Sequence, residues 1–432
     1  MKIGNNKSKL VKNSTLSLRK NFSWTIVGNL VAAICKWGIL VVLAKFSSPK
    51  LLGQFTLAYA IAAPIFMFMN LQLRAIQATD VKNQYKFSDY FKLRTISNTF
   101  GFAMLSFILL LILNYDTETV IIILVVGVIK LFESISDVFY GQMQKKERMD
   151  LVSKSMMFRE ISGLFTFAII LIITNSLLYS LIGFSVVFLL VVIYYDFFAS
   201  LKLESLNKQY TYKKYIVLLL TKWDILTIKK IFLLALPLGC GVFIGSLVTN
   251  IPRYLVDHFL GKQSLGYFAA IGYFAIGFST LFNAIGQATR PRLSKYFENN
   301  FNLYKNLLIK IILLSGSFGL AFFLFSLLFG KGMLSFVYST SYSQYWSTLI
   351  WISIAVFFLS INSILQIAIQ SARIFNVQIY ISIISLVTVT IAGFFLIPKY
   401  GIEGGGFTLL VYSIINTLTT TLFFFKFVYS KK

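Results

Sequence analysis

The 432-residue chain is 57% hydrophobic and only 13% charged, with a mean hydropathy of +0.77. A soluble chain carries about a quarter charged residues, so this composition excludes an ordinary soluble protein and points to a polytopic membrane protein. The formal charge of +25 would suggest a nucleic-acid partner in a soluble protein, but here the basic residues fall in short segments between apolar runs, and no nucleic acid is expected.

A basic run from Lys2 to Lys20 precedes the first apolar run, Phe22 to Ala44. That run is too long for a signal peptide's apolar region and a second follows at once, so it is expected to remain as an uncleaved anchor. A span needs about 20 apolar residues. Twelve such segments fit, at 22–44, 53–73, 97–114, 118–141, 157–174, 177–199, 231–257, 265–288, 307–329, 346–370, 378–397 and 405–426. The expected fold class is therefore an all-α polytopic membrane protein with twelve transmembrane helices. One side carries about thirty Lys and Arg and the other about five, which places both termini in the cytoplasm.

The first segment sets Thr25, Asn29 and Lys36 on one face. The fourth carries Lys130, Glu133 and Asp137 as a single stripe. Turned toward lipid, that stripe would cost on the order of 8 kcal/mol, so it faces an interior. Two readings stay open: a Lys130–Glu133 ion pair that locks a bundle, or the wall of a solvated cavity whose carboxylates bind a coupling cation. One pair leaves a carboxylate over, which favours the cavity. Arg159 and Glu160, at the edge of the fifth segment, are accounted for by snorkelling. The stretch from Ser200 to Lys230, basic with interspersed tyrosines, suits a surface linker between two halves, 1–199 and 231–432.

The second half opens on Ala235–Gly266, where Ser246, Asn250, Arg253 and Asp257 share one narrow arc. Pro237 and Pro252 predict a bend there, and Gly239, Gly241 and Gly245 predict close helix packing. Asn283, Gln287 and Arg290 form a stripe on the eighth segment; Asn362, Gln366, Gln370 and Arg373 form one on the tenth. Buried amides commonly bond between helices, yet five helices with one polar stripe each are better explained by a shared aqueous cavity. Lys36, Lys130 and Arg253 make it cationic, as an anionic phosphate or diphosphate requires. Leu52-Gly53-Gln54-Phe55 recurs as Leu265-Gly266-Tyr267-Phe268, and Asn70 meets Asn283 at the same offset. Cys35 and Cys240 lie inside apolar segments, and His258 stands alone, so no disulfide, metal or cofactor is expected.

Leu236-Pro237-Leu238-Gly239, Asn250-Ile251-Pro252-Arg253-Tyr254, Leu265 to Phe268, Gly141 to Asp150 and Ile397 to Ile402 together resemble the multidrug/oligosaccharidyl-lipid/polysaccharide exporter superfamily. The likeness is to its polysaccharide branch, the Wzx-type flippases of O-antigen and capsule repeat units. The resemblance implies two six-helix bundles in a V around a central cavity in the bacterial inner membrane. It implies transport of undecaprenyl-diphosphate-linked oligosaccharide by alternating access, as an antiporter coupled to H+ or Na+, within lipopolysaccharide or capsule biosynthesis. Its implied partners are the lipid-linked substrate, membrane lipids, and polysaccharide polymerase and chain-length proteins. On that reading Lys36, Lys130 and Arg253, with Asn29, Asn250, Asn283 and Arg290, meet the cargo, and Glu133, Asp137 and Asp257 carry the coupling ion. A drug or cation extruder would favour a carboxylate-lined cavity, and a peptidoglycan-precursor flippase tends to have further helices. A polymerase or ligase would carry large outer loops, whereas the longest here, Gly330 to Tyr345, has one charged residue, so an enzyme is not expected.

Overall fold

A computed structural model describes residues 16–80, 83–111, 114–205, 223–372, 374 and 377–429. Within them the chain is helical: α1 (Leu18–Phe46), α2 (Pro49–Met69), α3 (Leu73–Thr79), α4 (Phe87–Leu111), α5 (Thr117–Lys145), α6 (Met149–Thr174) and α7 (Leu177–Val191). A π-helical turn, Val192–Asp196, joins α7 to α8 (Phe197–Ser205). Then follow α9 (Ile225–Asn299), α10 (Phe301–Val337), the single turn α11 (Thr340–Ser343), α12 (Trp346–Ser371) and α13 (Val377–Phe427). Ten described helices are long and apolar enough to cross a membrane, where the sequence suggested twelve segments. The difference lies in α9 and α13, which run through the expected seventh and eighth and eleventh and twelfth segments. Each is interrupted by one glycine in left-handed backbone, Gly261 (φ 79°) and Gly401 (φ 60°), a conformation that costs other residues dearly. Pro237 and Pro252, expected to bend α9, lie within helical backbone; the turn comes at Gly261.

Several helices begin earlier than hydropathy suggested. α4 starts at Phe87 and α6 at Met149, because charged residues there find partners inside the protein and need no water. Most of the join between the halves, residues 206–222, lies outside the described residues.

Two compact units emerge, Met1–Ile39 with Ile61–Phe243, and Leu40–Ala60 with Ile244–Lys432. The division thus cuts α1, α2 and α9 rather than following the linker. The first unit buries Leu71, Tyr90, Leu93, Val138, Ile231 and Ala235 together, beside a second cluster around Phe139, Met143, Val152 and Leu203. The second packs α10, α12 and α13 about Tyr304, Leu308, Ile364, Ala368, Ile381 and Phe424. Within it, the repeated Leu-Gly-Xaa-Phe motifs meet. A Cβ on Gly53 would lie 1.7 Å from the Lys262 carbonyl oxygen, and one on Gly266 would lie 1.9 Å from that of Pro49. Pro49 and Lys262 each stand four residues before the glycine of their own motif, so each glycine meets the carbonyl that precedes the other, and the internal echo marks a reciprocal crossing of helix backbones that only glycine permits. Gly239 likewise packs tightly, against Leu71 and Phe68, whereas no described atom comes within 4 Å of a Cβ on Gly241 or Gly245. The packing explanation therefore holds for one of those three glycines.

Candidate functional site

In the first unit α1, α5 and α6 bring five ionised side chains together. Glu133 accepts from Lys130 Nζ at 2.7 Å and has Lys36 Nζ at 3.6 Å and Arg159 Nη2 at 4.0 Å. Glu160 pairs with Arg159 at 3.0 Å and with Lys36 at 3.9 Å. Lys36 is 47% exposed at its side chain while Glu160 is 1% exposed, so the cluster runs from an accessible lip to a sealed floor. Charges held this deep interact through a low dielectric, where each attraction is several times stronger than in water. The Lys130–Glu133 pair is present, but as one edge of a larger network. Arg159 and Glu160 do not snorkel: both are buried, because α6 begins a full ten residues before Arg159 and carries them inward.

One turn along α5, Asp137 is held by two guanidinium groups, Arg94 Nη2 at 3.2 Å and Arg74 Nη1 at 3.7 Å. It is therefore not a spare carboxylate. Arg94 is fully buried and also donates to Asn70 Oδ1 at 2.6 Å. Ser134 bridges Asn70 and Asn98 at 2.7 Å each. Sequence reasoning missed Arg94 because hydropathy began the third span at residue 97; its spacing of four from Asn98 was the available signal.

A third polar feature also escaped notice. Asp196, fully buried on the π-helical turn, accepts from Ser136 at 2.6 Å and Ser155 at 2.5 Å. A lone carboxylate in the apolar run after Leu177 was its trace in the sequence. π-Turns within α-helices recur at functional positions.

In the second unit α9, α12 and α13 enclose a cavity of about 520 Å³, inside the range of small-molecule sites. Arg253 and Arg290 both line it, with Asn362, Gln366, Gln370 and Asn416. No carboxylate lines it among the described residues. Arg253 donates to Asn250 Oδ1 at 2.7 Å, and Asn250 in turn donates to the Ser246 carbonyl at 2.8 Å. That chain uses the predicted stripe to fix the guanidinium over the cavity. Arg290 Nη2 donates to Gln370 Oε1 at 2.7 Å. The buried amide oxygens of Asn362 and Asn416 have no partner, an arrangement that a hydrogen-bonding guest would relieve.

The predicted site residues thus fall into separate groups. Lys36, Lys130 and Glu133 meet in one cluster, with Asp137 in the adjoining network; Arg253 and Arg290 line the second unit's cavity, and Asn250, which does not line it, bonds Arg253. Asn29 is exposed on α1, and Asp257 is half-buried on α9 and does not line the cavity. Asn283 lies in α9, but its side chain, like that of Gln287, is outside the described residues, and so is Arg373. Among the described residues no group of three His, Cys, Asp or Glu could hold a metal.

Residues 18–297 match the family described as polysaccharide biosynthesis protein. A capsular polysaccharide biosynthesis protein of Staphylococcus aureus, CapF, is 30% identical over 408 residues, covering 94% of this chain and 99% of its own. Among solved structures, a lipid II flippase MurJ in an inward closed conformation is similar at a TM-score of 0.72 and 16% identity, over 93% of this chain and 87% of that one. An inward-facing multidrug resistance transporter of the MATE family is similar at 0.71 and 12%, over 94% and 98%. The fold is therefore one used by multi-pass membrane transporters.

Proposed function

Because this chain belongs to the polysaccharide biosynthesis protein family, we propose that it is a flippase for lipid-linked polysaccharide units. The cargo would be an oligosaccharide on undecaprenyl diphosphate, moved across the bacterial cytoplasmic membrane by alternating access, with both termini in the cytoplasm. No bond is made or broken. The work is to shelter a charged, hydroxyl-rich head while its lipid tail stays in the bilayer, since moving such a head through hydrocarbon unaided costs several kcal/mol for each unsatisfied polar group.

The observation that carries this reading is the cavity of guanidinium and amide groups without a carboxylate in the second unit. Arg253 and Arg290 suit phosphate or carboxylate oxygens, and the unpartnered amide oxygens of Asn362 and Asn416 suit sugar hydroxyls. Lys36 and Lys130 add cationic positions on the first unit. A cavity built for cationic drugs would call for the opposite charge. Ion coupling, to H+ or Na+, belongs to the same proposal. Glu133 and Asp137, each flanked by two or more cations, then act chiefly as counter-ions that hold the cationic walls in place.

The test is complementation in cells lacking the gene. Arg253→Ala, with membrane levels matching wild type, is expected to abolish surface polysaccharide and to accumulate lipid-linked units inside. Normal surface polysaccharide from Arg253→Ala and Arg290→Ala combined would remove the cargo assignment.

A further inference from the structure

Asp196 is the buried carboxylate that the reading above leaves unused. It is fully buried, and no cation stands within ion-pair distance of it among the described residues. Its oxygens are met by two serine hydroxyls, Ser136 from α5 and Ser155 from α6. At 2.5 and 2.6 Å these oxygens are hydrogen-bonded to each other, too close to cradle a metal cation between them. Ser155 also shares a hydrogen bond of 2.8 Å with Tyr140. The Arg159 guanidinium lies 6.0 Å from the Tyr140 ring centre and 4.7 Å from that of Phe188.

The titratable and charged groups that act on Asp196 are therefore Tyr140 of α5, Arg159 of α6 and the neighbouring Tyr195. Glu133, Glu160, Lys36 and Lys130 follow through Arg159. The cluster around Arg159 holds three cations and two carboxylates, one net positive charge, and an ionised Asp196 is what cancels it. Arg159 itself is unfinished: its buried Nε and Nη1 have no acceptor. An anion reaching the cluster from the accessible Lys36 would supply both the missing acceptor and the missing charge.

We propose that Asp196 is a proton-binding site that exchanges its charge with an anion held on the Lys36–Lys130–Arg159 cluster. When the anion binds, the surplus positive charge is taken up and Asp196 accepts a proton; when the anion leaves, Asp196 releases it. The two events are linked reciprocally, so protonation strengthens anion binding by the same factor that the anion strengthens protonation. The inference rests on the flippase reading for the identity of the anion, a diphosphate.

The experiment is calorimetric binding of farnesyl diphosphate to the full-length protein in detergent, in buffers of differing ionisation enthalpy, at about pH 5.5 and about pH 8. The wild type is expected to take up close to one proton per diphosphate at the higher pH, and to bind on the order of tenfold more weakly there than at the lower pH. Asp196→Asn, which preserves shape and can still bond both serines, is expected to lose the proton uptake and that difference in affinity beyond the diphosphate's own titration. Should that variant not fold, Ser155→Ala is expected to displace the pH at which the proton is taken up. Uptake that persists in Asp196→Asn, or a pH dependence unmoved by Ser155→Ala, overturns the inference while the flippase reading stands. A wild type that binds no diphosphate at either pH overturns both.

Discussion

Replacing Gly53 with Ala adds one methyl group where the structure has no room for it. The new Cβ would sit 1.7 Å from the Lys262 carbonyl oxygen and 2.7 Å from its carbon. An ordinary contact of this kind begins near 3.4 Å, so the two backbones must part by about 1.7 Å, and overpacking of even a deformable core costs about 1 to 3 kcal/mol. Backbone is stiffer than side chain, which puts Gly53→Ala at or above the top of that range. The offsetting gain in helix propensity is only about 0.5 to 1 kcal/mol. Gly241→Ala is the matched control, because it collects the same propensity gain with no described atom within 4 Å. The expected separation between the variants is therefore about 3 kcal/mol, in opposite directions from wild type. Thermal unfolding of the purified full chain in one detergent, at a fixed scan rate because such unfolding is often irreversible, reads the difference. Gly266→Ala is expected to behave like Gly53→Ala. If Gly53→Ala unfolds with or above Gly241→Ala, the reciprocal glycine crossing is not as described.

Arg94→Leu strands Asp137 with only the more distant Arg74 and leaves Asn70 Oδ1 with the Ser134 hydroxyl but no guanidinium donor; a loss of about 3 to 5 kcal/mol is expected, seen as lower yield and unfolding temperature. Gly401→Ala meets no neighbouring atom but must adopt φ 60° and ψ −137°, at about 1 to 3 kcal/mol, whereas the adjacent exposed Tyr400→Ala is expected to cost less. Asp80, just past α3, is half-buried, and the desolvation pulls its carboxyl up. The Gln84 and Tyr85 amides and Lys145 outweigh that and hold it below the ordinary carboxylate value. A lowered folded-state value means that its contribution is present above the ordinary carboxylate range and is lost as the pH falls through the lowered value. Asp80→Asn is accordingly expected to speed proteolysis between Asp80 and Phe87 at neutral pH, with the difference from wild type disappearing in acid.

The parts of this protein that hydropathy can see were legible in the sequence. Long apolar runs state the fold class, and the positions of Gly261 and Gly401 fall between expected segments, where a turn had to be. Helical phase was equally reliable within one helix: Lys130 and Glu133 do face one another, and Asn250 and Arg253 do bond along their stripe. What phase cannot supply is the partner on another helix. Asp137 looked unpaired because Arg94 and Arg74 sit on elements that hydropathy truncated or left out. Arg159 and Glu160 looked interfacial because a charged start to an apolar segment reads as its edge, even when the helix begins earlier and carries the pair inside. Asp196 went unnoticed because a single carboxylate in an apolar run has no period, and its two serine donors lie on other helices. Within the units, the stripes belong to a charged cluster in the first and a cavity in the second, whose further lining residues phase could not name.

Lipid translocation by the purified protein tests the central claim most directly. Wild type and Arg253→Ala would be reconstituted into vesicles with a fluorescent undecaprenyl-diphosphate oligosaccharide, and the label reaching the opposite leaflet measured by quenching from outside. The account predicts translocation well above that of protein-free vesicles for wild type and background rates for Arg253→Ala. Equal rates in the two, or none in wild type while a cationic drug is transported, would contradict it.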